Sequence, residues 1–164
     1  MKETGNTIIG YCRKSKTIED EETRVRLLQK MIKRMRARSL VDKTFVSPCS
    51  AAGRTYRIYP VPLKVNTKFC LAIDDIEDDI LLDMISFLAV TPNVSLVVLD
   101  YAGLTTNIKD LKQFIINTPN LENIIVDQLP QQHKIKIFSR EQLLMDDSNL
   151  ALFDCRVACV QRAK

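Results

Sequence analysis

Arg13, Lys14, Ser15 and Lys16 are the residues whose types and spacing most directly suggest chemistry. They close the run Ile8-Ile9-Gly10-Tyr11-Cys12-Arg13-Lys14-Ser15, which reads as a short buried strand ending in a basic turn. A charged amphipathic segment follows, so Ser15 falls at a strand-to-helix junction. The first amides of a helix have no internal partner and carry partial positive charge, which makes such a junction attractive to anions. With three cations around one hydroxyl, the leading ligand is a nucleic-acid phosphate. A serine just before a helix is usually only a cap, although Thr17 with Asp20 fits a capping box better than Ser15 does.

A second set of groups is acidic. Asp100 and Asp127 each close an apolar run, and Asp74, Asp75, Glu77, Asp78 and Asp79 cluster ahead of another. Two-metal phosphoryl-transfer sites need carboxylates gathered around ions about 4 Å apart. The cluster is also what a helix N-terminus carries to suit its dipole. His133 is the single histidine, so any His-dependent triad would have to be built on it. The five cysteines (Cys12, Cys49, Cys70, Cys155 and Cys159) are scattered and odd in number. That pattern argues against a disulfide framework or a structural zinc site and favours a reducing compartment.

The elements that would position these groups alternate. A strand over 7–12 leads to a helix from about Ile18 to Arg38 with a core stripe of Val25, Leu28, Met31, Ile32 and Met35. Arg24, Arg26, Lys30 and Lys33 give that helix a basic outer face. A strand over 41–47 stops at Pro48. Residues 48–69 read as a long basic loop holding Arg54, Arg57, Tyr56 and Tyr59, with strand character over 64–71. A helix opens at the acidic cluster and runs to about Ala89, with Ile76, Ile80, Leu81, Met84, Ile85 and Leu88 inward. Residues 94–100 form the best central strand. A tight loop at Gly103, a helix over 107–117, strands over 123–127 and 134–138, and a short helix over 140–145 complete the order. This predicts an α/β fold, a largely parallel sheet of about four or five strands with helices on both faces in three layers. Ligand crevices in such sheets lie at the carboxyl ends of the strands, where Ser15, Asp100 and Asp127 all fall.

With 164 residues, 46% hydrophobic and 27% charged, the composition excludes disorder and suits one domain over 1–164. The net charge of +4 does not mark the whole molecule as a polyanion binder, so the placement of charge decides. No run is apolar for long enough to span a membrane and no secretory core opens the chain. The expected location is intracellular, in cytoplasm or nucleus, without a membrane partner.

Tyr11-Cys12-Arg13-Lys14-Ser15 resembles the tyrosine-x-arginine-x-serine opening of the serine recombinase (resolvase/invertase) catalytic domain, where the serine is the nucleophile. Val98-Leu99-Asp100-Tyr101-Ala102-Gly103-Leu104-Thr105 is similar to that family's leucine-aspartate-arginine-leucine-glycine-arginine segment, and the resemblance covers roughly Thr7 to Gln113. It implies a resolvase-like fold in which Ser15 attacks a DNA phosphate, forms a phosphoserine link and releases a 3′ hydroxyl, with no metal or cofactor. The implied catalytic residues are Ser15, Arg13 and Asp100; the implied phosphate contacts are Lys14, Lys16, Arg24, Arg54 and Arg57.

The departures concern charge. Tyr101 and Leu104 stand where the family has arginines, and Arg24 stands where its first helix has a glutamine, with Gln29 about one turn later. One preorganised donor is worth about a hundredfold to a thousandfold in rate, so losing two is severe. The sequence therefore predicts a DNA-associated, recombinase-like domain of mobile-element type, weakly active or inactive, with homo-oligomerisation left open. Competing readings are a working serine recombinase whose arginines come from the 54–68 loop or from another subunit, an interaction module docking through the apolar Leu143–Phe153 region, and a metal-dependent phosphoryl-transfer enzyme using Asp100 and Asp127 with the Asp74–Asp79 cluster.

Overall fold

The apolar run at the start of the chain becomes β1 (Thr7–Arg13), and every residue from Ile8 to Cys12 is buried. In the computed structural model, which describes residues 5–14, 20–47, 81–128 and 134–154, β1 lies at the heart of a five-stranded sheet of order β2-β1-β3-β4-β5. The other strands are β2 (Lys43–Ser47), β3 (Val94–Val98), β4 (Leu121–Gln128) and β5 (Lys134–Ser139). β1 runs parallel to both neighbours, with Tyr11 beside Phe45 on β2 and beside Val98 on β3. β3 and β4 are parallel, and β5 is antiparallel to β4. The result is an α/β fold with a mostly parallel sheet.

Successive strand residues point to opposite sides, and the apolar residues sort accordingly. Ile8, Cys12, Val46, Val97 and Ile125 pack with Leu28, Ile32 and Met35 of α1 (Glu21–Ser39). Ile9, Tyr11, Phe45, Leu96, Val98, Ile124 and Val126 pack with residues of α2 (Leu81–Val90), α3 (Ile108–Asn117), α4 (Arg140–Met145) and α5 (Asp147–Ala151). Met84 and Leu88 are the α2 members, and Leu111, Phe114 and Ile115 those of α3.

α1 begins three residues later than the periodicity predicts. Asp20 is extended, and its carboxylate accepts the Thr23 amide at 2.6 Å, which makes Asp20 the cap. That bond holds the Asp20 carboxyl below its ordinary pKa, so the cap is intact at neutral pH and is lost as acid protonates it. The far end of α1 closes on Leu40 in the left-handed region, with φ of 49°. The chain then re-enters the sheet through Asp42, whose carboxylate accepts the Ile8 amide at 2.9 Å while its own amide donates to the Ile8 carbonyl at 2.7 Å.

In the region from Leu143 to Phe153, Leu143, Leu150 and Phe153 are completely buried core residues of α4, α5 and the turn after it, whereas Met145 and Leu152 are exposed. α4 starts on a capping box between Ser139 and Gln142, and α5, absent from the sequence reading, is capped by Asp146. The basic loop 48–69 and the acidic cluster 74–79 lie outside the described residues. No helix among the described residues is long and apolar enough to cross a membrane.

Gly10 sets the distance between α1 and the sheet. A Cβ added there would lie 2.1 Å from the sulfur of Met35 and 3.3 Å from its Cγ. Met35 is completely buried, so it has little room to swing away. Overpacking of this kind costs about 1–3 kcal/mol. Gly10→Ala is expected to lower the unfolding free energy by about that amount in urea denaturation; an unchanged midpoint would show that the contact is loose.

Candidate functional site

The strand order reverses direction at β1: β2 lies on one side of it and β3 on the other. In sheets of this kind the ligand crevice lies beyond the carboxyl ends of the strands at the reversal, here β1 and β3. Arg13 and Lys14 end the first strand. Asp100 and the single 3-10 turn Tyr101–Gly103 follow the second. The structure thus brings Arg13, Lys14 and Asp100 to one end of adjacent strands, and the Lys14 amide extends the β1–β2 pairing by donating to the Ser47 carbonyl at 3.0 Å.

Arg13 makes the most informative contact. Its guanidinium donates to the backbone carbonyl of Ala102, in the turn after β3. A side chain at the end of one strand therefore fastens the loop leaving its neighbour. Beside it, the Gly103 amide donates to the Asp100 carbonyl at 3.0 Å and closes the turn. A Cβ on Gly103 would come within 3.3 Å of the Asp100 carboxylate, so the absence of a side chain lets the acid fold back over its own turn. The chain then enters α3 through Thr105, whose hydroxyl accepts the Asn107 amide at 3.1 Å, and through Asn107, which caps the Lys109 and Asp110 amides.

Tyr101 and Leu104, which interrupt the charge pattern of the resemblance, take part in packing. The Tyr101 ring meets Phe153 edge-on at 5.1 Å between centroids and lies 6.3 Å from Phe138. The Lys136 ammonium sits 5.9 Å from the centroid of the same ring. Leu104 is completely buried in the same apolar cluster. Neither position presents a cation to the crevice.

Ser15, Lys16, Arg54, Arg57 and His133 lie outside the described residues. Arg24 is 9% exposed and so does not belong to the outer face of α1, contrary to the sequence reading. Asp127 does stand near the carboxyl end of β4, but its carboxylate is fully buried and engaged by Arg38: the guanidinium Nε and Nη2 reach its two oxygens at 3.1 and 3.3 Å. That pair joins the last turn of α1 to β4. The sequence signal for it was a lone aspartate at the end of an Ile-Ile-Val run, which needs a partner when buried. No group of three or more His, Cys, Asp or Glu side chains fit to hold a metal occurs among the described residues.

Comparison with protein-family models, with curated proteins and with solved structures finds no match.

Cys12 lies one residue before Arg13 yet belongs to the core. It is a free thiol, and burial pushes its pKa from 9.0 up to about 12. Catalytic and redox cysteines are lowered instead, so this thiol is inert. Because the folded state holds the proton more tightly than the unfolded chain, the associated stability is complete below pH 9 and is lost as pH rises toward about 12. The Cys12→Ala variant should lack that part of the alkaline decline. In the native wild type at pH 8, iodoacetamide should leave the Cys12 peptide unmodified by mass spectrometry; labelling at the rate of a free thiol would contradict its placement.

Proposed function

We propose that the chain is a divergent serine-recombinase-like domain that associates with DNA and has lost most or all of its strand-cleaving activity. In this reading the helices on the two sides of the sheet form a three-layer, resolvase-like arrangement. Ser15 is the nucleophile of the resembled motif, and Lys14 and Lys16 attract the phosphate. Arg13 with Asp100 organises the crevice. The observation that carries the reading is the Arg13–Ala102 bond across the ends of β1 and β3, because it ties the first motif of the resemblance to the second.

The expected chemistry is weak for a physical reason. Phosphoryl transfer relies on cations aimed at charge that develops in the transition state. Tyr101 and Leu104 are committed to the apolar cluster, and an arginine introduced at Leu104 would have to bury its charge. Removing two such donors multiplies to a rate loss on the order of ten-thousandfold or more. Arg13 is spent in part on a backbone carbonyl, which makes it a positioning residue as much as a charge for the phosphate. The metal-dependent alternative gains nothing from Asp127, whose two oxygens are held by Arg38.

The test is duplex-DNA binding by fluorescence anisotropy, coupled to trapping of protein–DNA adducts on denaturing gels. Binding should weaken steeply with salt, and Lys14→Glu/Lys16→Glu should weaken it at least about tenfold. No adduct should accumulate above the Ser15→Ala background. Absence of DNA binding at low salt would overturn the proposal, and an abundant adduct abolished by Ser15→Ala would overturn its inactive half.

A further inference from the structure

The charge of the chain is concentrated on one helix. α1 carries seven lysines and arginines against two glutamates, a net +5, whereas the whole chain is +4, so the remainder is net −1. The helix dipole explains cations in the last turn, where Arg36 and Arg38 stand. It does not explain Arg26 and Lys30, which sit in the first half and the middle of the helix, beyond the reach of its C-terminal field. Lys30 also follows Arg26 at i+4 and precedes Arg34 at i+4, and like charges so spaced weaken a helix.

The side chains divide into those already committed and those that are not. Arg38 holds Asp127, and Arg24 is buried. Arg26, Lys30, Lys33 and Arg34 are exposed and form no close ion pair among the described residues, although Arg26 also acts at longer range on the Asp20 carboxylate. Arg26, Lys30 and Lys33 are spaced by four and three, which aligns them on one face along about 10 Å of helix. With Leu27 and Gln29 they line an open depression of roughly 500 Å³.

We propose that this stripe on the outer face of α1, formed by Arg26, Lys30, Lys33 and Arg34, is a docking surface for the phosphate backbone of nucleic acid. The inference rests on the DNA-associated reading and adds a surface that the resemblance does not supply. Duplex DNA carries one negative charge per about 1.7 Å of axis, so a 10 Å stripe faces several phosphates at once. Gln29 beside the cations adds an amide donor of the kind that positions a protein on a sugar–phosphate backbone. An anionic membrane is the poorer occupant. Interfacial helices insert an exposed apolar face, and the apolar stripe of α1 is already spent: Leu28, Ile32 and Met35 are buried against the sheet. Contacts to phosphate carry no sequence information, so binding through them is insensitive to sequence.

The test compares the full-length wild type with Lys30→Gln/Lys33→Gln and with Lys14→Glu/Lys16→Glu. Each is titrated with a short duplex from about 50 to 200 mM salt, after thermal melts have shown that the variants fold. Neutralising two phosphate contacts should flatten the slope of log affinity against log salt by about 1.8, equally for unrelated duplex sequences. An unchanged slope in Lys30→Gln/Lys33→Gln, with binding lost in Lys14→Glu/Lys16→Glu, overturns the stripe and leaves the proposed function standing. The converse pattern supports the stripe and removes the strand-end phosphate site. Wild-type protein that binds phosphatidylserine vesicles but no duplex overturns both.

Discussion

Everything at the end of β1 depends on how closely α1 can approach the sheet. That distance is set by the place where Gly10 offers no side chain to Met35. The neighbours on the same side of the strand are Ile8 and Cys12, and Cys12 is small. A helix seated this low buries Leu28, Ile32 and Met35 together. It also fixes the Asp20 cap and the Arg38 anchor at its two ends.

The same seating divides the charges of α1 by role. Arg24 turns inward, Arg38 neutralises a buried aspartate, Arg36 stands in the last turn, and Arg26, Lys30, Lys33 and Arg34 face outward. Across the sheet, Tyr101, Phe138 and Phe153 form an aromatic cluster under the turn that carries Asp100. The cluster holds the turn firmly but uses the positions where a working phosphoryl-transfer site of the resembled kind would need cations. In the proposed reading, core residues at those two positions favour holding a nucleic acid over cutting one.

Much of this could be read from the chain because buried strands and amphipathic helices leave period-specific patterns. The strands at 7–13 and 94–98 and the stripe of α1 were evident for that reason. Other features depend on tertiary partners. β4 begins at Leu121, two residues earlier than its apolar run suggests, because a register shift between Val94 and Ser95 lets Leu121 pair with Val94. α5 has only five residues and owes its place to Leu150 and Phe153 packing inward; in sequence the same apolar residues resemble a surface patch. The burial of Arg24 had a signal that was overlooked, since it lies four residues before Leu28 and so falls in phase with the buried stripe. The Arg13–Ala102 bond involves a backbone carbonyl 89 residues away, and no local pattern encodes it.

The most direct test of the central claim is an amide NMR titration of the isotopically labelled protein with a short DNA duplex. The account predicts saturable shifts that centre on Arg13, Lys14 and the Asp100–Gly103 turn and continue along Arg26 to Arg34 of α1. They should fade as salt is raised. Saturable shifts confined to β5, α4 and α5, with the ends of β1 and β3 unmoved, would contradict it.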